Sequence, residues 1–209
     1  MLVFSASWEE HLTHVRDILT RLRAAGLTAN IDKCIFASDD IVVLGHRVMS
    51  GKIMPTDEKA KAIIDWQRPK NKYQLKAFLG TVNFFHGFIW HFATIADPLT
   101  KLLAKSQPDK LNWGEEQQQS FERLNDEMTK KTILRQADPN KEYLLFCDGS
   151  STGISAILMQ YDEQTNQNYA VAYGSRKLTK AEQRYPIIEI ELMSIIFGLQ
   201  KYHLSLIHI

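Results

Sequence analysis

Asp148 closes an apolar run, Leu144-Leu145-Phe146-Cys147, and opens a Gly/Ser turn, Gly149-Ser150-Ser151-Thr152-Gly153, before a second apolar run from Ile154 to Met159. Two strand-length runs around glycines predict a β-hairpin. A carboxylate at the end of such a strand can hold a divalent cation in partly dehydrated surroundings. The plainer alternative is a turn aspartate that accepts backbone N–H bonds. A cation calls for a second acid, and Glu189 and Glu191 are the candidates. They flank, on opposite sides, the helical stripe Ile188, Leu192, Ile195, Ile196 and Leu199, which is expected to lie on the sheet. Helical geometry alone does not choose between them.

A second kind of chemistry is suggested by Lys59, Lys61, Arg68, Lys70, Lys72 and Lys76, which crowd one span. Clustered cations suit phosphate contacts, although solvated helix faces look the same. Three further sets carry less. Asp39-Asp40 sits between strand-like runs and reads as a turn. His11 and His14 have metal-compatible spacing but no third ligand at hand. Cys34 and Cys147 lack any CxxC or Cys/His spacing, so disulfide and zinc readings are weak and buried small hydrophobes fit better.

Elements must position these residues. With 209 residues, 44% hydrophobic and 23% charged, the chain can build one large or two small cores. No apolar run approaches a membrane span, and Met1-Leu2-Val3-Phe4-Ser5 lacks the features of a signal peptide, so a cytoplasmic or nuclear setting, not a secreted one, is expected. A net charge of +1 excludes neither nucleic acid nor small ligands. Trp8, Leu12, Val15, Leu19 and Leu22 predict an amphipathic helix that stops at Gly26. Residues 27–55 predict short strands and a hairpin, broken at Asp39-Asp40, Gly45 and Ser50-Gly51. A helix capped by Thr56 is expected to run to about Arg68, and another to begin near Asn71 with Leu75, Phe78, Leu79, Val82 and Phe85 on one face. The apolar pattern from Phe88 to Leu103 is broken by Pro98. Phe121, Leu124 and Met128 mark a further helix, and a domain boundary belongs near Ser106–Lys110 and the following turn at Ala137–Lys141. Beyond it, three successive strands and the helix carrying Glu189 and Glu191 complete an α+β chain.

Many of these residues resemble, in order, the Pol polyprotein of gypsy-type LTR retrotransposons. The matching series is Leu2-Val3-Phe4-Ser5, Glu10-His11-Leu12, Ala25-Gly26-Leu27, Lys33-Cys34, Leu44-Gly45-His46, Phe78-Leu79-Gly80, Phe88-Ile89, Phe92-Ala93, Ile95-Ala96, Pro98-Leu99 and Leu102-Leu103. Ala172-Tyr173-Gly174-Ser175-Arg176-Lys177-Leu178, Ala181-Glu182, Tyr185 and Glu191-Leu192 continue it to about Leu204. His86-Gly87 depart from the basic residues the family favours, and Cys147 and Gly149 from the usual Thr and Ala.

The resemblance implies a segment of a reverse transcriptase followed by part of a ribonuclease H domain. It assigns residues 1–54 to a C-terminal palm remnant with a primer-grip-like hairpin at Leu44–Met54 and 55–105 to thumb-like helices that track a duplex. It assigns 106–141 to a connecting helix region and 142–209 to a truncated ribonuclease H-like domain, an incomplete three-stranded sheet with one packed helix. Leu44, Gly45, His46, Lys59, Lys61, Lys72 and Lys76 are then nucleic-acid-binding residues for an RNA/DNA hybrid or template-primer duplex. The rest of Pol is a further expected partner. Asp148 matches the first catalytic acid and Glu191 the second, both binding Mg²⁺. The family uses four acids and two metal ions roughly 3.5–4 Å apart, whereas residues after Glu191 include no Asp or Glu. The Tyr-x-Asp-Asp polymerase motif would precede Leu2. The implied activities, RNA-directed DNA synthesis and Mg²⁺-dependent hydrolysis of the RNA strand, are therefore not expected of these 209 residues alone. A non-catalytic nucleic-acid-binding protein of retroelement origin is the alternative. An actin-like phosphate loop at Asp148–Gly153 would need a second Gly-rich loop downstream, and none is present.

Overall fold

The structure, a computed structural model, describes every residue except Ala6, Ser50, Lys131, Pro139, His208 and Ile209. Parts of three expected turns and ends, at Ser50, Pro139 and His208-Ile209, thus lie outside the described residues. Helix α1 (Trp8–Ala24) begins where the Ser7 hydroxyl accepts from the Glu10 N–H and stops before Gly26, whose φ of 70° ends the helix as expected. None of its residues is fully buried, and Trp8, Leu12 and Leu19 of its apolar stripe are exposed.

The expected hairpin is a meander with two turns. Strands β1 (Asp40–Val43), β2 (His46–Met49) and β3 (Lys52–Pro55) pair antiparallel, with Val43 opposite His46 and His46 opposite Pro55. Leu44 (φ 49°) and Gly45 (φ 80°) make the first turn, the double left-handed geometry that two-residue hairpin loops use. Asp40 is held by Arg47 through two-pronged contacts of 2.9 and 2.5 Å, so Asp39-Asp40 ends in a cross-strand ion pair and forms no paired-acid site.

Helix α2 (Asp57–Ile64) ends four residues before the expected Arg68, because Asp65 already closes it with bonds to Lys61 and Ile63 carbonyls. Thr56 is its N-cap but makes no side-chain cap bond. Asn71 does cap α3 (Lys72–Asn83), accepting from the Gln74 N–H at 2.9 Å. Two short helices follow, α4 (Phe92–Ile95) and α5 (Asp97–Lys101). Pro98 opens α5 where its missing N–H costs nothing, and the break in the pattern falls earlier, at left-handed His91 (φ 58°). Helix α6 (Glu115–Thr129) buries Phe121, Leu124 and Met128. A two-residue strand, β4 (Leu134–Arg135), pairs with β3 and makes a four-stranded sheet, inside a stretch the sequence assigned to connecting helix. One core unites Ile63, Leu75, Phe78, Val82, Phe85, Ile89, Leu99 and Leu124, and Ala170 and Tyr173 of the next sheet pack against it.

That sheet is an antiparallel meander of β5 (Tyr143–Gly149), β6 (Gly153–Asp162) and β7 (Gln167–Lys177). Helix α7 (Ile187–Lys201) lies on β5 and β6, and a short α8 (His203–Ile207) follows. The packed face of α7 corrects the sequence expectation. Ile190, Ser194 and Gly198 are buried, whereas Ile188, Leu192, Ile195, Ile196 and Leu199 are exposed, Ile188 by 71%. Hydrophobicity could not choose a face on a helix apolar all round; approach distance did. A Cβ on Gly198 would stand 3.0–3.1 Å from Cys147, Ala156 and Leu145, so small residues one turn apart let α7 press onto the sheet. Tyr202 then donates from its hydroxyl to the Ala156 carbonyl at 3.2 Å.

Ion pairs tie the second sheet to its surroundings, among them two made by neighbouring residues of β7. Asp97 is almost fully buried; burial opposes its charge, but Lys101 at 2.7 Å and Lys177 of β7 outweigh that and hold it ionised below its ordinary range. Arg176 grips Glu182 with two bonds of 3.0 Å, and with the Thr179 N–H it pulls that carboxyl down to about 2. A depressed carboxyl gives stability that is complete above its unfolded pKa near 4.5 and fades as pH falls toward 2. Melting temperature should therefore drop between pH 4.5 and 2, and Glu182→Gln should flatten that limb of the profile; an unchanged limb would remove Glu182 as its source.

Candidate functional site

Two places in the fold bring the candidate residues together. The first surrounds the β1–β2 turn. Gly45 packs under the Lys59 side chain of α2, where any Cβ would collide with the ammonium end. The Lys59 Nζ stands 4.1 Å over the Phe84 ring, and His46 stacks on the same ring at 4.9 Å and 9°. Phe85 and Phe88 enclose the imidazole further. Burial, then the Lys59 charge, keeps His46 below its ordinary pKa, hence neutral at neutral pH. Leu44 projects from the turn, 86% exposed. Leu44, Gly45, His46 and Lys59 thus form one unit.

The remaining lysines do not join it. Lys72 begins α3 and Phe84 follows its end, so the two are about 18 Å apart along a twelve-residue helix. The Lys72 ammonium donates to the carbonyls of Gln107 at 2.8 Å and Ala104 at 3.3 Å, closing the loop after α5. Lys76 is exposed one turn further along, and Lys61, two residues from Lys59, projects from another side of α2. At the N-terminus, His14 and His11 meet the Ser5 hydroxyl at 2.8 and 3.5 Å, and no third metal donor joins them among the described residues.

The second place is the end of β5. Asp148 pairs in register with Ser155 and is the last residue but one of the strand. Strand alternation sends Leu145 and Cys147 toward Gly198 of α7, and leaves Leu144, Phe146 and Asp148 on the opposite face. The acid thus points away from the helix that carries Glu189 and Glu191. Those two acids lie on different sides of α7. Glu189 shares its side of α7 with Met193 and Phe197, which pack over Ile154 and Leu178 on the β6 side. Glu191 is exposed and lies seven residues before Gly198, two turns away along the helix. Ile190 packs against Gly149, which brings that turn of α7 to the Asp148 end of the strand.

What does touch Asp148 is His91. Its Nδ1 lies 3.7 Å from the carboxylate Oδ2, and the ring rests 4.1 Å from Trp90. Burial, followed by the opposing pull of Asp148 and the repulsion of Arg123, leaves this histidine below its ordinary pKa. The segment holding it is pinned on both sides. The Ala93 N–H donates to the Ser175 hydroxyl at 3.1 Å, and the Thr94 and Ser150 hydroxyls meet at 3.2 Å. Gly153 admits this segment, since a Cβ there would press on Thr94. No spacing in the sequence signals His91; its contact is made across separate elements, and only its left-handed φ, unusual for a residue other than glycine, marks it locally.

As a cation site the arrangement offers few donors. No three His, Cys, Asp or Glu side chains converge among the described residues. One or two carboxylates at an open, half-exposed edge nevertheless suit Mg²⁺, which keeps several waters and completes its shell with substrate phosphate. Asp148 and Glu191 would be those carboxylates.

Residues 113–208 match the RNase H-like domain found in reverse transcriptase. The Tf2-3 and Tf2-4 transposon polyproteins of Schizosaccharomyces pombe are each 31% identical over 97% of this chain, which spans 15% of their length. Among solved structures, a foamy viral protease-reverse transcriptase in complex with RNA/DNA hybrid shares the fold with a TM-score of 0.75, at 21% identity over 97% of this chain and 27% of that one. The same viral protein in complex with double-stranded DNA gives 0.75 over 42% of its chain.

Proposed function

The chain belongs to the Ty3/gypsy-type LTR retrotransposon polyproteins, as a segment of their reverse transcriptase and RNase H-like region, and on that premise we propose that it binds nucleic-acid duplex and contributes two acids to a hydrolytic centre. The observation that carries the proposal is the alignment over 97% of the chain with the Tf2 polyproteins, which spans the β1–β2 hairpin and Asp148 alike. The viral neighbours held RNA/DNA hybrid and double-stranded DNA, and a duplex is the ligand we infer here. The turn at Leu44-Gly45, with His46 and Lys59 locked behind it, offers a rigid edge for a primer end. Lys61 and Lys76 offer point charges for phosphates. Residues 1–54 then act as the palm remnant, 55–105 as thumb, 106–141 as connection and 142–209 as the RNase H-like part, in the cytoplasm or nucleus.

A divalent ion bound at the β5 edge would activate water and stabilise the leaving oxygen. Asp148 and Glu191 are the acids that would hold it. Gly149 and Ile190 fix the approach of α7 to β5 and so the separation of these acids. Within residues 1–209 the acids that the resemblance assigns are these two, and we therefore propose that the chain alone binds hybrid with little hydrolysis. Asp148 facing His91 rather than α7 favours, as a second reading, binding without chemistry. Fluorescence anisotropy with a labelled RNA/DNA hybrid tests the common part: affinity should fall steeply with salt, and absence of binding at low salt would overturn it.

A further inference from the structure

Strand β5 and helix α7 are open on the same side of the RNase H-like sheet. The strand order β5-β6-β7 leaves one edge of β5 unpaired among the described residues, so backbone N–H and C=O groups face outward there. Tyr143 to Cys147 carries neither charge nor proline, the devices that commonly blunt an exposed edge. On α7, Ile188, Leu192, Ile195 and Leu199 follow one another at intervals of four, three and four residues, the spacing of a seam along which two helices pack. Met193 and Phe197 pack on the other flank of α7, over Ile154 and Leu178. The seam, roughly 130° round the helix from buried Ser194 in the opposite direction, therefore leans over the β5 edge. Its four side chains, with Leu144 and Phe146 on the far face of the strand, are 36–71% exposed.

We propose that this edge docks a second copy of the chain, the two β5 strands pairing antiparallel about a two-fold axis perpendicular to the sheet and the two α7 seams packing beside them. The dimensions agree. Helix α7 lies over both β5 and β6, hence about half a strand spacing inside β5, and the axis lies half a spacing outside it. Strands about 4.8 Å apart then set the helix axes about 9.6 Å apart, within the roughly 8–10 Å of packed helices. One symmetry operation thus satisfies strand edge and helix seam together, as an isologous contact requires. Six half-exposed large side chains offer roughly 600 Å² per copy, and the strand edge brings this close to the roughly 800 Å² per partner of a standard interface. Each copy has one such edge, so assembly stops at the dimer. The pairing goes beyond the duplex reading and does not rest on it.

Sedimentation velocity of the 209-residue chain from roughly 1 to 100 µM, where modest interfaces dissociate, tests the pairing. A monomer–dimer equilibrium is expected. Leu192→Lys with Ile195→Lys should raise its dissociation constant about tenfold or more, and so should Phe146→Lys, which places a charge on the edge. Leu19→Lys, at an exposed apolar position of α1, should leave it unchanged. Hydrogen exchange of the parent protein needs no substitution: β5 amides should exchange more slowly as concentration rises. A chain that stays monomeric throughout, with the open edge left for some other polypeptide, would overturn the pairing. So would open-ended assemblies in place of a dimer, an equal loss in Leu19→Lys, or β5 exchange independent of concentration.

Discussion

Replacing Phe85 by alanine is expected to destabilise the chain by about 3–5 kcal/mol, the range for emptying a buried phenylalanine site. Phe85 is fully buried and stands where three parts meet. Its ring meets Phe84 edge-on at 4.9 Å, Phe88 at 6.3 Å and the His46 imidazole at 6.1 Å. The cavity would therefore open between the β1–β2 hairpin and the helices, not at a surface that could collapse freely. A domain's net stability is about 5–15 kcal/mol, so such a loss takes a large part of it. Urea denaturation measures the effect. A midpoint shift worth under about 1 kcal/mol would show that this ring is not at the centre of the core.

Removing Lys59, Lys61 and Lys76 together should have the largest effect on binding. Each lysine that neutralises one phosphate contributes close to one unit of salt slope, so the triple alanine variant should lose nearly three units. Near 0.1 M salt that corresponds to roughly five-hundredfold in hybrid affinity. Lys72→Ala should behave differently, since its ammonium already serves the Ala104 and Gln107 carbonyls. It should cost about 1 kcal/mol of stability and leave the slope nearly unchanged. A Lys72 effect on the slope as large as that of Lys61 or Lys76 would contradict this division. A triple variant with the parent's slope would remove α2 and α3 from the duplex-binding surface.

Helices with one apolar stripe and clear end signals were readable in the sequence. Gly26 ends α1 and α3 begins beside Asn71, because those signals act within a turn of the residue that carries them. The Asp148 hairpin was readable for the same reason. What failed depends on partners distant in sequence. The face of α7 was misassigned because Ser194 and Gly198 matter through their small size against Cys147 and Ala156, which no hydrophobic count records. Strand β4 is two residues long and exists through β3, so it has no periodicity of its own. Lys72 looked like a phosphate-binding cation until the loop after α5 folded back onto it. At the candidate centre the sequence supplied Asp148, and through resemblance Glu191, but the approach of His91 is a product of docking.

That docking gives Asp148 a partner without completing a two-metal centre, and the account stands or falls on what the 209-residue chain does to a hybrid. Purified residues 1–209 should be incubated with a labelled RNA/DNA hybrid and Mg²⁺ while binding and strand length are followed together. The account predicts salt-sensitive binding with little or no cleavage of the RNA strand. Robust Mg²⁺-dependent cleavage that Asp148→Asn abolishes would contradict it.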